Sequence, residues 1–252
     1  MSSFLGKYSS WYDEIYRDKD YEGETSFLFE IFTHLTGKSQ PKAVLDLGCG
    51  TGRHLELIPS GSERIGVDQS EAMIQIARRR LPEDVELIVA DIGTVRLGSK
   101  FDLIYSMFHV VNYHVSDLML SAFFKTIAAN LSPNGVAFFD SWNQDAWRSS
   151  PPHDSVRFVG PGPDLIRLVQ SQVDTRSASV QLQISTLDRE DTGLYRLGES
   201  EIHRMRAYSI QELERHAASH RLRVVASGSE LKRDSQVTPE MWTFWVALSK
   251  EN

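Results

Sequence analysis

Cysteine is almost absent: one stands among 252 residues, at position 49. No disulfide can close within the chain, and a reducing compartment is expected. Long apolar runs are missing too, and none approaches the roughly 20 residues that span a bilayer. The opening stretch, "MSSFLGKYSSWYDEIY", lacks the apolar centre of a secretory signal. Together these absences predict a cytoplasmic chain with no membrane partner. Positive charge is also short, with 27 Lys and Arg against 34 Asp and Glu, a net charge of -7. The densest basic cluster, Arg78-Arg79-Arg80, reads as the solvated end of a helix, so nucleic acid is not an expected partner. His216 and His220 are four apart, a spacing that can hold a metal, but no glutamate completes H-E-x-x-H, and no metal is expected.

What is present suits one substantial core with a smaller lobe attached, since 41% of residues are hydrophobic. Residues 4–36 read as helical in two pieces, with Leu5, Tyr8, Trp11, Tyr12, Ile15 and Tyr16 on one arc and an end near Gly37. Strands and helices then alternate. "KAVLDLG", "RIGVD", "VELIVAD", "FDLIYSMF" and "VAFFDSW" read as strands, and helices open at the cap-type residues Ser70 and Ser116. Alternation of this kind implies right-handed crossovers and a parallel sheet covered on both faces. From about residue 148 the texture changes. "RSSPPHDSVRFVGPGP" reads as a loop, and residues 164–208 as three antiparallel strands. A helix follows from Ser209, which forms a capping-box pattern with Glu212, and two strands close the chain. The expected organisation is a helical lid at 1–40, an α/β core at 41–150, an antiparallel insertion at 151–208, and a return to the core at 209–252.

Residues 44–54, "VLDLGCGTGRH", place Gly48, Gly50 and Gly52 at the carboxyl end of the first strand, where open α/β sheets bind ligands. The next strand ends in Asp68, a carboxylate suited to a ribose diol. A phosphate-binding loop would need G-x-x-x-x-G-K-[ST], but Arg53 and His54 stand in its place. A dinucleotide fingerprint would need glycine at the sixth position, which is Arg53. S-adenosylmethionine remains: an adenosine without pyrophosphate, whose ammonium suits an acidic strand terminus such as Asp46.

"VLDLGCGTG", Asp68, "VADI" and "LSPNG" before a strand resemble, as a set, the class I S-adenosylmethionine-dependent methyltransferases. The resemblance implies an α/β, Rossmann-like, seven-stranded and mostly parallel sheet. It implies that Asp46, Gly48 and Gly50 line the cofactor, that Asp68 binds its ribose, and that Asp91 or Ile92 and Met73 meet its adenine. Met107 is placed with these contacts. "YSSWYDEIYRDKDYEGE", "SMFHVVNY" and "ESEIHRMRAYSIQELE" further resemble bacterial small-molecule methyltransferases, including N,N-dimethyltransferases of nucleotide-linked amino sugars. On that resemblance Tyr8 and Tyr16 touch cofactor or acceptor.

His109, just past the fourth strand, is the candidate general base or acceptor-orienting group, because neutral imidazole is available near pH 7. Tyr12, Phe108, Asn112, Trp142 and Asn143 are candidates for the acceptor pocket. Arg204 and Arg206, two apart on a strand, share a face and could grip a carboxylate or phosphate. Cys49 reads as a small residue in the turn, not a nucleophile. The expected activity is methyl transfer to an amine of a small polar metabolite. O-methylation, a nicotinamide-dependent dehydrogenase and a non-enzymatic S-adenosylmethionine-binding module are the rival readings. A small-molecule acceptor is the expected partner, and a homo-oligomer is compatible with such a chain.

Overall fold

The computed structural model describes residues 7–160, 162, 164–198 and 200–251, with the side chain of Lys7 left aside. Leu5 and the start of the expected first helix lie outside the described residues. Two helices open the described chain, α1 (Lys7–Ile15) and α2 (Tyr21–Thr36). Asp20 caps α2 by accepting from the Gly23 N–H, and Gly37, at φ +70°, ends it in the left-handed conformation. The core then runs β1 (Ala43–Leu47), α3 (Arg53–Glu56), β2 (Glu63–Asp68), α4 (Glu71–Arg80), β3 (Val85–Val89), β4 (Phe101–Ser106), α5 (Asp117–Asn130), β5 (Leu131–Trp142) and α6 (Gln144–Ser149). Ser70 and Ser116 cap α4 and α5 as expected, each accepting from the N–H three residues on. The platform strands are β6 (Ser155–Val159), β7 (Leu165–Asp174), β8 (Ser179–Arg189), β9 (Tyr195–Leu197) and β10 (Glu201–Arg206). The helix α7 (Ile210–Ser219) and strands β11 (Leu222–Ser229) and β12 (Thr243–Lys250) complete the core.

Seven strands form the main sheet in the order β11-β12-β5-β4-β1-β2-β3. Only β12 runs against its neighbours, pairing antiparallel with both β5 and β11. The order reverses direction between β1 and β4, and the crevice outside the carboxyl ends of those strands is where such a sheet takes ligands. Every residue of β1 is buried, as a strand covered on both faces requires. One face packs Leu45, Ile104 and Val246 against α5, where Phe123, Phe124 and Phe139 meet edge to face at 5.7–5.9 Å. The other face packs Leu103, Phe138 and Trp245 against Phe27 and Ile31 of α2.

The smaller sheet is antiparallel, in the order β10-β8-β7-β6, with β9 also paired to β8. Its inward residues, Val159, Leu165, Val169 and Ile184, pack on Tyr8 and Ile15 of α1. The helix is thereby pinned between platform and core.

Three local expectations change. The stretch read as a loop contains β6, because flanking proline and glycine mask a short strand whose Val156 and Phe158 face solvent. The third platform strand is broken into β9 and β10 at Gly198, whose N–H still bonds Thr186 O at 2.8 Å. "SPNG" is a bulge within β5 and not a separate turn: Leu131 pairs with Phe101, and Val136 with Leu103. No helix among the described residues is long and apolar enough to cross a membrane.

Candidate active site

The turn after β1 is built from backbone. Gly48 and Cys49 donate N–H bonds to Val67 O at 2.7 and 3.0 Å, which stitches the turn to the end of β2. Gly48 has φ +87°, and a Cβ there would sit 2.7 Å from Val110 Cγ1, so no larger residue fits. Gly50 has φ +53°, and a Cβ there would project into open space. That opening is the cradle a ligand needs for close backbone approach. Asp68 Oδ2 accepts from Gly50 N at 2.9 Å and Oδ1 from Ser70 N at 2.8 Å. The carboxylate thus holds the turn in shape while keeping lone pairs for a diol. Burial raises its pKa, opposed by those backbone N–H groups.

Three cavities lie in this region, and the first and third share Gly48 of the turn. The first, about 300 Å³, is walled by Gly48 to Thr51, Asp68, Met73 and Met107, by Tyr8 and Tyr12 of α1 and Tyr16 just past it, and by platform residues including Arg167 and His203. Phe108, His109 and Trp142 also line it. The second, about 440 Å³, lies on the other side of His109, with Lys19, Asp140 and Glu230 on its walls. The third, about 510 Å³, shares Gly48 and Asp68 with the first and contains Asp91, Ile92 and Arg204.

His109 sits where the first two cavities meet. Phe108 and His109 have φ of +69° and +62°, a pair of left-handed residues without glycine. Strain of about 1–3 kcal/mol per residue is held only where surrounding contacts fix it. The fixing group is Asp140 on β5. Its Oδ1 accepts from the His109 backbone N–H at 2.9 Å, and its Oδ2 lies 2.8 Å from His109 Nδ1. Burial pushes the Asp140 carboxyl up, but the His109 contacts and Lys19 outweigh it and hold it below the ordinary carboxylate range. An ionised Asp140 places the imidazole proton on Nδ1 and leaves Nε2 as the acceptor. The tyrosines of the cavity, Tyr8, Tyr12 and Tyr113, are all pushed up by burial and keep their protons, so they serve as hydrogen-bond donors. Phe108 packs edge-on against Tyr16 at 4.8 Å, with the Lys19 ammonium 4.5 Å from its centroid.

Several expected site residues lie elsewhere. Asp46 is buried within β1 beside Tyr105 and does not line these cavities; burial pushes its pKa well up. Met73 lines the first cavity, apart from Asp91 and Ile92 in the third. Asn112 is fully buried as a strut: Nδ2 donates to Arg206 O and Ser141 Oγ, and Oδ1 accepts from Trp142 N. Asn143 caps α6 and ties down Thr238 O. Arg206 faces away from the chamber and pairs with Asp117 at 2.9 Å and Glu212 at 2.5 Å. Only Arg204 of the arginine pair reaches a cavity, the third, where its Nε donates to Gln181. His216 stacks on Phe124 and His220 bonds Ser121, so the two histidines do not converge. Cys49 is buried, and burial raises its thiol pKa well above the ordinary value, as a non-nucleophilic turn residue requires.

Sequence reasoning overlooked Asp140, although an acidic residue at the end of the strand beside His109's own was a usable signal. It also overlooked Tyr21 and Arg53, which meet with the guanidinium 4.8 Å from the ring at the glycine end of the first cavity. His203, read on the same predicted strand as Arg204 and Arg206, was not named as a site residue, yet it lines the first cavity and its Nδ1 lies 2.8 Å from the Tyr113 hydroxyl.

A family model described as "Methyltransferase domain" matches residues 44–135, from β1 into β5. The fold is shared with solved methyltransferases. A solved S-adenosylmethionine-dependent methyltransferase from Clostridium acetobutylicum superposes with a TM-score of 0.83 at 22% identity, over 98% of each chain. DesVI from Streptomyces venezuelae superposes at 0.78 and 24% identity, covering 98% of this chain and 100% of that one. Both likenesses include the platform, so the whole methyltransferase fold is shared and not only its core. Among curated relatives, a dTDP-3-amino-3,4,6-trideoxy-alpha-D-glucopyranose N,N-dimethyltransferase from Streptomyces venezuelae is 37% identical over 134 residues, 52% of this chain and 55% of that protein. The chain spans about half the length of the curated relatives it matches first.

Proposed function

We propose that the protein transfers a methyl group from S-adenosylmethionine to an amine of a small polar molecule, an amino sugar or a related biosynthetic intermediate. The observation that carries this reading is the His109–Asp140 pair, which opens onto the cavity that the glycine turn enters. The residues present fit the cofactor. Gly50 leaves a cradle at the turn, Asp68 reaches both the first and third cavities, and Asp91 and Ile92 line the third. Arg53 and Tyr21 offer a cation and a hydroxyl at the end suited to an amino-acid carboxylate. Bound there, S-adenosylmethionine supplies an electrophilic methyl on a sulfonium that departs as a neutral thioether and needs no acid.

The chain's own work is therefore positioning and proton removal. An amine must lose a proton before or during attack, and His109 Nε2 is the group to accept it. Asp140 holds the tautomer and steadies the imidazolium that forms. Tyr8, Tyr12 and Tyr16 close the chamber against water and present aromatic faces, which attract cations. Amino-sugar N,N-dimethyltransferases among the relatives support nitrogen as the acceptor atom. The test is turnover of methyl-labelled cofactor with matched pairs of acceptors that differ only in amine against hydroxyl. Label on the amine is expected. Label on oxygen alone, or binding of the cofactor with no transfer to any amine tried, overturns the reading.

A further inference from the structure

The basic cluster Arg78-Arg79-Arg80 ends α4, but its last residue is not a solvated helix end. Arg78 is exposed and pairs with Glu71 on its own helix at 3.3 Å. The Arg80 side chain is only 17% exposed and reaches away from its helix. Its guanidinium donates to the Asp13 carboxylate of α1 at 2.5 Å and to Thr51 O in the glycine turn at 2.5 Å. Its Nε lies 3.4 Å from Glu56 on α3. The other carboxylate oxygen of Asp13 accepts from the Thr51 hydroxyl at 2.7 Å. Thr51 is buried and lines the first cavity beside Gly50. Side chains from α1, the turn and α4 thus close a ring of charge-assisted hydrogen bonds. Asp13 directly follows Tyr12, which with Tyr8 walls that same cavity.

On its apolar side α1 packs Tyr8 and Ile15 against the platform. Apolar packing is non-directional and does not by itself fix where a helix stands over a turn. The ring does, because the planar guanidinium fork holds two acceptors at once in set directions. The cradle at Gly50 and the tyrosines of α1 face the same space, so a ligand seated on the turn has this helix over it. We propose that Asp13 and Arg80 are positioning residues. With Thr51 they form a catch that holds α1 onto the glycine turn and keeps the tyrosine wall in place. The catch opens for S-adenosylmethionine to enter and for S-adenosylhomocysteine to leave. The proposal rests on the methyltransferase reading and adds to it the contact that governs exchange of the cofactor.

The test follows S-adenosylhomocysteine binding to the full chain by stopped-flow tryptophan fluorescence, since Trp11 lies on α1 and Trp142 lines the cavity. In Asp13→Asn and in Arg80→Gln, association and dissociation should both quicken at least about fivefold. The dissociation constant should change less than either rate, because the catch holds the helix with and without ligand. The double variant should match the single ones, since each breaks the same ring. Arg78→Ala, in the same basic cluster, should exchange S-adenosylhomocysteine at native rates. Native rates in both single variants overturn the proposal. So does faster dissociation with unchanged association, the mark of a contact that only shapes the turn. Additive effects in the double variant, or an equal quickening in Arg78→Ala, overturn it as well. Asp13→Asn is isosteric and Arg80→Gln acts from the opposite side of the ring, so either one that folds decides. If S-adenosylhomocysteine does not bind the native chain, the methyltransferase reading fails. If it binds and the variants exchange it at native rates, only the catch fails.

Discussion

The first cavity has two walls of different material. On the core side the contacts are mostly backbone: the left-handed Gly48 and Gly50, their N–H bonds to Val67 and Asp68, and the strand ends that fix them. On the platform side they are side chains: Arg167, Leu182, Ile184, His203 and Met205, facing the tyrosines of α1. A backbone wall tolerates few substitutions because its shape depends on glycine and on hydrogen-bond geometry. A side-chain wall can be rewritten residue by residue while its strands stay paired. The family model accordingly covers 44–135 and stops before the platform begins. The shared family match thus reaches the core wall and not the platform wall. His109 joins the two, a side chain held by backbone strain and by Asp140.

The sharpest way to break this division is at the join. His109→Ala should lower kcat by about 10³-fold while leaving the affinity for S-adenosylhomocysteine nearly unchanged by calorimetry. A parallel loss of affinity would mean that the histidine belongs to the cofactor wall. Next in size, Gly48→Ala forces a Cβ into Val110 at a left-handed position and should weaken S-adenosylhomocysteine by roughly a hundredfold. Near-native affinity would show that the turn is not the cradle. Asn112→Ala removes three buried hydrogen bonds outside both walls. It should lower unfolding free energy by about 2 kcal/mol in urea titration and leave KM for the acceptor alone. A raised KM with unchanged stability would return Asn112 to the pocket.

The smallest effect tests Asp140. Asp140→Asn should reduce kcat by about tenfold, since the imidazolium that forms loses its counter-charge. The carboxyl's pKa is lower in the fold than in the unfolded chain. Its pairing therefore stabilises the native state above the ordinary carboxylate range, and that contribution fades as pH falls through the folded value. The variant should lose less stability than the native chain as pH falls through and below the ordinary carboxylate range, measured by denaturant midpoint. Parallel stability curves would show that the pair contributes nothing to the fold.

Much of the core wall was legible because its signals are local. Ser70, Ser116 and Ser209 each cap the helix that follows them, since a cap bond reaches only three residues along the chain. Glu212 shows the limit of such reading: its carboxylate pairs with Arg206 from another element. Period-2 alternation identified β7 and β8 but missed β6, where five residues between prolines and a glycine give too short a window. The arginine pair on β10 was correctly placed on one strand, yet Arg206 faces α7 and Asp117, and only Arg204 reaches a cavity.

The sequence by itself determined the strand–helix alternation, the glycine turn with Asp68 at the next strand end, and His109 at the edge of the fourth strand. Those features follow from backbone sterics and short-range spacing, which are written along the chain. Only the tertiary structure decided that Asp140, 31 residues from His109, pairs with it, that Asn112 and Asn143 are struts, and that Arg167 lines the first cavity. Such partnerships depend on which strands become neighbours and which face of each turns inward. That choice is made by the collective burial of apolar surface, and no single segment carries it.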